Sequence, residues 1–174
     1  GPGAWAGPCL AGRDTGAGAP RASWRTHATV DHIRGVGAIQ GATGVPIHLH
    51  PADRPLYDAL PGQGGWMGLQ LTAPPPPDLP FEDGQRLRVG GFEFEVRHTP
   101  GHSPGSVSFV GHGLVFGGDV LFNGSIGRTD LPGGDLSTLR ASSQDAFSNP
   151  PASTIAHSGH GPETTIGVEP MTKP

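Results

Sequence analysis

Residues 98–105 read His98-Thr99-Pro100-Gly101-His102-Ser103-Pro104-Gly105, and the way this stretch interrupts its surroundings decides the fold class. Before it, Leu87 and Val89, then Gly90-Gly91, then Phe92, Phe94 and Val96 alternate around a two-residue turn, the signal of a β-hairpin. After it, residues 107–110 and 114–116, joined across Gly111-His112-Gly113, predict a second hairpin. His102 therefore belongs to a loop at a strand end, where a rigid scaffold commonly carries binding and catalytic side chains.

Three other stretches place a candidate ligand at or just past a predicted strand. They are Thr26-His27-Ala28-Thr29-Val30-Asp31-His32, Phe116-Gly117-Gly118-Asp119 and Ser158-Gly159-His160-Gly161-Pro162. His and Asp are the ligands zinc prefers after thiolate, and neighbouring glycines let the backbone bring such side chains together. Taken singly each stretch is weak, because a histidine beside glycine in a loop is more often a surface or hydrogen-bonding residue.

Their joint order and spacing resembles the metallo-β-lactamase superfamily, whose signature is His-x-His-x-Asp-His, then a histidine, a bridging Asp and a final His. The flanks are similar to the glyoxalase II-like (hydroxyacylglutathione hydrolase-like) branch. They are residues 98–105, Gly118-Asp119-Val120-Leu121-Phe122, Gly127-Arg128-Thr129-Asp130-Leu131-Pro132-Gly133-Gly134-Asp135 and Gly159-His160-Gly161-Pro162-Glu163-Thr164-Thr165. The resemblance covers about residues 26–169. It implies an α/β fold, the metallo-β-lactamase αββα sandwich. His27 and His102 would bind a first metal, Asp31, His32 and His160 a second, and Asp119 would bridge them. The cofactor so implied is zinc, either two ions or one at the Asp31, His32 and His160 site. The implied activity is hydrolysis of a small-molecule thioester such as an acylglutathione by metal-held hydroxide, with Asp31 also catalytic through orienting the water's proton.

The chain departs from this pattern in two places. Thr29 stands where the second His of the signature belongs, and a neutral hydroxyl is a poor replacement for imidazole. The first site would keep two His and one Asp, so the second should bind more tightly and turnover should be weakened. A two-His, one-carboxylate set also suits mononuclear iron, so a persulfide dioxygenase-like enzyme using His27, His102 and Asp119 is the alternative. An inactive remnant of the fold is the third reading. The second departure lies in residues 1–25, which hold six Gly and three Pro and no apolar pattern. They are expected to be low-complexity coil or, at Gly1-Pro2, a leftover of tag cleavage. Residues 21–25 look too polar for the buried strand that usually leads into the His motif. The expected domain is thus 26–174, with the N-terminal side of its first sheet incomplete, through either a missing start or degeneracy.

Elsewhere, Ile33, Val36 and Ile39 predict a short helix over 31–40 with Gly44 as its stop. Residues 45–49 read as a strand, 52–60 as a Pro-started helix, 74–77 as a polyproline connector, 137–147 as a helix and 154–156 as a strand. His48 and His50 are expected to share one strand face without a ligand role, and His98, His112 and His157 to be structural. Arg128 is read as a buried partner of Asp130 that orients its loop, rather than as a substrate contact.

Composition narrows the classes further. Eleven Lys and Arg against 15 Asp and Glu give a net charge of -4, which excludes a basic nucleic-acid surface. Cys9 is the only cysteine, so no intrachain disulfide can form and a cytoplasmic setting is expected. Neither a signal peptide nor a membrane span is legible, and oligomeric state is left open.

Overall fold

The computed structural model describes residues 19–169, so the coil expected for residues 1–18 lies outside the described residues. The chain divides into two compact units, one ending at Pro80 and the other starting at Phe81.

The first unit carries a three-stranded parallel sheet of β1 (Ser23–Trp24), β2 (Ile47–Leu49) and β3 (Leu79–Pro80), in that order. The existence of β1 corrects the reading of residues 21–25 as too polar for a strand. Its polar groups are satisfied locally. The Ser23 N–H donates to the Pro46 carbonyl at 2.8 Å, and the Arg25 guanidinium reaches the Ser23 hydroxyl at 2.6 Å. Two residues of pairing need no long apolar run.

The helix expected over 31–40 is two helices, α1 (Val30–Ile33) and α2 (Val36–Thr43), parted at Arg34 and Gly35. Gly35 weakens helical continuity there, and α2 stops at Gly44 in the left-handed conformation, as anticipated. After β2, a short 3-10 turn (Pro51–Asp53) leads into α3 (Arg54–Asp58) and α4 (Leu60–Trp66), carrying helical structure past the expected end at Leu60. His50 falls beyond β2, where its Nδ1 accepts from the Ala52 N–H at 3.3 Å, so it does not share a strand with His48.

Ala28, Ile33, Val36, Ile47, Leu49, Tyr57 and Leu60 form this unit's core. The Tyr57 hydroxyl donates to the Pro75 carbonyl at 2.8 Å, tying the polyproline connector down, and burial pushes its pKa up to about 12.

The second unit is a six-stranded sheet. In chain order its strands are β4 (Arg86–Val89), β5 (Phe92–His98), β6 (Val107–Gly111), β7 (Leu114–Gly118), β10 (Ile155–Ser158) and β11 (Thr164–Thr165). Their spatial order is β11-β10-β7-β6-β5-β4. Both expected hairpins form, with Val89 opposite Phe92 and Gly111 opposite Leu114. A small hairpin of β8 (Leu121–Phe122) and β9 (Ser125–Ile126) follows β7. The helix α5 (Leu136–Phe147) then carries the chain to β10, which pairs with β7 in parallel.

Helix α5 is started by Asp135, whose carboxylate accepts from the Thr138 N–H at 2.7 Å. The buried Leu139, Ser143, Ala146 and Phe147 recur at helical spacing. Leu139, Ala146 and Phe147 join Val115, Val120, Leu121, Ala156 and Ile166 in the core.

Candidate metal centre

Each unit gathers three of the six residues that the sequence singled out. In the first unit the motif follows β1 directly. Its backbone is pinned by a buried carboxylate: Asp53 Oδ2 accepts from the Ala28 N–H at 2.8 Å, and the Gln63 amide donates to the Ala28 carbonyl at 3.1 Å. His27 is buried, with Nδ1 3.0 Å from the Thr26 hydroxyl. Thr29 is the cap residue of α1, which puts Asp31 in the first turn and His32 in the last. The His27 and His32 rings lie 4.0 Å apart between centroids. His32 Nε2 lies 3.8 Å from Asp31 Oδ2, and the Thr29 hydroxyl donates to Asp31 Oδ1 at 2.8 Å.

In the second unit His102 lies in the loop between β5 and β6, which is docked onto α5. Gly101 has φ 130°, a conformation open to glycine, and a Cβ there would collide with the backbone of Leu139. The Ser142 hydroxyl donates to the Pro100 carbonyl at 2.7 Å, and the Asp135 N–H to the Gly101 carbonyl at 2.8 Å. Asp119 follows β7, and the chain returns past it at Gly127, where any side chain would strike the Asp119 carbonyl. His160 follows β10, whose end is held to that of β7 by the Gly159 N–H donating to the Gly118 carbonyl at 2.8 Å.

His102 Nε2 and His160 Nε2 lie 3.8 and 3.6 Å from the same Asp119 oxygen. These are longer than hydrogen bonds. They are near the spacing of about 3.4 Å expected for two donors that each sit about 2.1 Å from one tetrahedral ion. The tautomer of His102 agrees. Its Nδ1 is 2.8 Å from the Arg128 carbonyl, which can only accept, so Nδ1 carries the proton and Nε2 presents its lone pair towards Asp119. An all-nitrogen and oxygen donor set of this kind fits zinc or iron. His102 and Asp119 are buried while His160 is exposed, so the set has a dry side and a side open to solvent.

His98, His112 and His157 have structural partners. His98 Nε2 meets the Pro104 carbonyl at 2.9 Å, His112 Nε2 accepts from the Glu93 N–H at 2.9 Å, and His157 stacks on Phe116. Arg128 does pair with Asp130, through two 2.7 Å bonds, but the pair is exposed rather than buried. That pairing, chiefly its side-chain hydrogen bond, holds Asp130 down to a pKa of about 2. The Arg128 residue thus serves the site through its backbone carbonyl. Sequence reasoning missed Asp53 and Gln63, since neither stands near a motif and only folding brings them to Ala28.

The sequence pattern of the metallo-beta-lactamase superfamily matches residues 25–160. The chain is 43% identical over 159 residues to the probable metallo-hydrolase YqgX of Bacillus subtilis, spanning 89% of this chain and 75% of that protein. It is 39% identical over 153 residues to the hydroxyacylglutathione hydrolase GloC of Haemophilus influenzae, spanning 86% of this chain and 72% of that one. Among solved structures it is similar to TTHA1623, determined in a di-iron-bound form, with a TM-score of 0.84 at 44% identity, covering 92% of this chain and 80% of that chain. Among the described residues no helix is long and apolar enough to cross a membrane.

Proposed function

Because the chain belongs to the metallo-beta-lactamase superfamily and is a metal-dependent hydrolase of that fold, we propose that its substrate is a small-molecule thioester of the acylglutathione class. The reading assigns metal-ligand roles to His27, Asp31 and His32 in the first unit and to His102, Asp119 and His160 in the second. The observation that carries it is the approach of His102 Nε2 and His160 Nε2 to one Asp119 oxygen, with the His102 proton held on the opposite nitrogen by Arg128.

A metal held there would act as a Lewis acid and lower the pKa of a water from 15.7 to about 7. The chain's own residues do the rest. Asp119, buried beside two imidazoles, contributes the negative charge that holds a divalent cation. The carbonyl of Arg128 keeps His102 in the ligating tautomer throughout a turnover. In the first unit Asp31, steadied by the Thr29 hydroxyl, keeps the proton-orienting role that the family resemblance implies. The thioester reading is supported by the similarity to a hydroxyacylglutathione hydrolase.

The test loads purified protein with zinc or with iron, counts bound metal by elemental analysis, and follows thiol release from an acylglutathione beside a simple acyl thioester and an oxygen ester. Metal-dependent release from the acylglutathione supports the proposal. Metal-loaded protein that leaves every thioester intact overturns the substrate class, and oxygen uptake on a persulfide would replace it with the dioxygenase-like reading.

A further inference from the structure

Glu169 is a buried carboxylate with no part in the ligand set. Its Oε2 accepts from the Gly124 N–H at 2.8 Å and its Oε1 from the Thr164 hydroxyl at 2.7 Å. Gly124 forms the turn between β8 and β9, in the segment that leaves Asp119. Thr164 opens β11, in the segment that leaves His160. One side chain therefore joins the two strands of chain that carry Asp119 and His160 away from each other.

The other ties between these segments lie mainly on the near side of His160. The Gly159 N–H donates to the Gly118 carbonyl at 2.8 Å and the Ser158 hydroxyl to the Leu121 carbonyl at 2.6 Å. Beyond His160, residues 161–163 are exposed and contribute the 3.3 Å bond from the Asn123 amide to the Glu163 carbonyl. A carboxylate is costly to bury unless charge-assisted bonds compensate it, and two such bonds to two segments are what Glu169 makes.

We propose that Glu169 is a positioning residue that sets His160 against Asp119 by bracing the far side of the His160 loop to the β8–β9 turn. The inference rests on the reading of His160 and Asp119 as metal ligands. An aliphatic side chain cannot reproduce the brace, because it has no oxygen to accept from the Gly124 N–H or the Thr164 hydroxyl, whereas a glutamine could accept from Gly124 through its carbonyl and donate its NH2 to the Thr164 hydroxyl.

The experiment measures zinc affinity of the full chain by competition with a chromophoric chelator, alongside thermal unfolding of the metal-free protein. Glu169→Leu removes both bonds and Thr164→Val one, and each should weaken zinc binding about 10- to 100-fold, the loss typical of outer partners of metal ligands. Thr164→Ser keeps the hydroxyl and should restore it. Phe109→Leu, a core change on β6 outside the cluster that holds Leu121 and Ile166, should lower the unfolding temperature without that loss of affinity. If Glu169→Leu destabilises the metal-free chain but binds zinc as the original does, Glu169 only braces the fold and the proposal fails. Should Glu169→Leu not fold, the Thr164→Val and Thr164→Ser pair decides the question alone. Original protein that takes up no zinc or iron overturns the ligand reading itself, and with it this inference.

Discussion

The Thr29 hydroxyl donates a 2.8 Å hydrogen bond to Asp31 Oδ1. From sequence, Thr29 is a lost ligand; in the folded chain the residue also fixes a carboxylate two positions along, across the first turn of the helix it caps. Thr29→Val should release Asp31 and weaken metal binding about 10- to 100-fold, as loss of an outer partner does, whereas Thr29→Ser should retain it. Chelator competition on the two variants measures the difference, and equal affinities would show that the bond has no bearing on the ligand.

Thr29→His restores the imidazole of the family signature. It is expected to raise metal stoichiometry by elemental analysis and to increase thioester turnover, offset in part by loss of the Asp31 bond. If neither metal content nor rate changes, the missing imidazole does not limit this chain and the remnant reading gains.

Metal loading should stabilise the fold by mass action. At free metal about 100 times its dissociation constant, the gain is about 2.7 kcal/mol, so a chelator should lower the unfolding temperature by several degrees. In Asp119→Ala that chelator-dependent shift should disappear, and in His102→Ala, which leaves His160 beside Asp119, it should shrink. A shift of undiminished size in either variant would remove it from the ligand set.

Leu139 is fully buried between α5 and the six-stranded sheet, and its backbone abuts Gly101 beside His102. Leu139→Ala should cost about 2–5 kcal/mol in urea unfolding, the range for a large-to-small change in a packed core. A loss under about 1 kcal/mol would mean that the core closes over the gap.

Asp135 has its pKa lowered to about 2, first by the Ser137 hydroxyl and then by the Thr138 groups it caps. A depressed carboxylate contributes stability that is fully present above its unfolded value, near 3.8, and is lost as pH falls towards 2. The stability difference between the original protein and Asp135→Asn should accordingly be constant above about pH 4 and shrink below it. A difference that persists unchanged at pH 2 would show that ionisation of the cap plays no part.

Much of the second unit was legible from residues 87–119, because strand alternation has a period of two and each turn there is short. Helix α5 was expected over 137–147 and begins one residue earlier, at Leu136, where Asp135 caps it. The first unit was harder. The two residues of β1 carry no period, and the Ser23 backbone N–H finds its acceptor, the Pro46 carbonyl, only once the chain folds. The break between α1 and α2 likewise follows from Gly35, whose cost to a helix is small enough that sequence alone does not decide whether the helix continues.

The sequence by itself determined the proposed ligands, their order and the loops that carry them, because His and Asp at strand ends beside glycine are a local matter of chemistry and turn geometry. It also determined that Thr29 is not an imidazole. Only the tertiary structure decided what surrounds those ligands: that the Arg128 carbonyl selects the tautomer of His102, that Asp53 holds the backbone of Ala28, and that Glu169 joins Gly124 to Thr164. These partners are 25 to 45 residues apart in three of the four cases. A hydrogen bond over such a separation leaves no period or motif in the chain, because it depends on where the backbone has been carried by packing far from either residue.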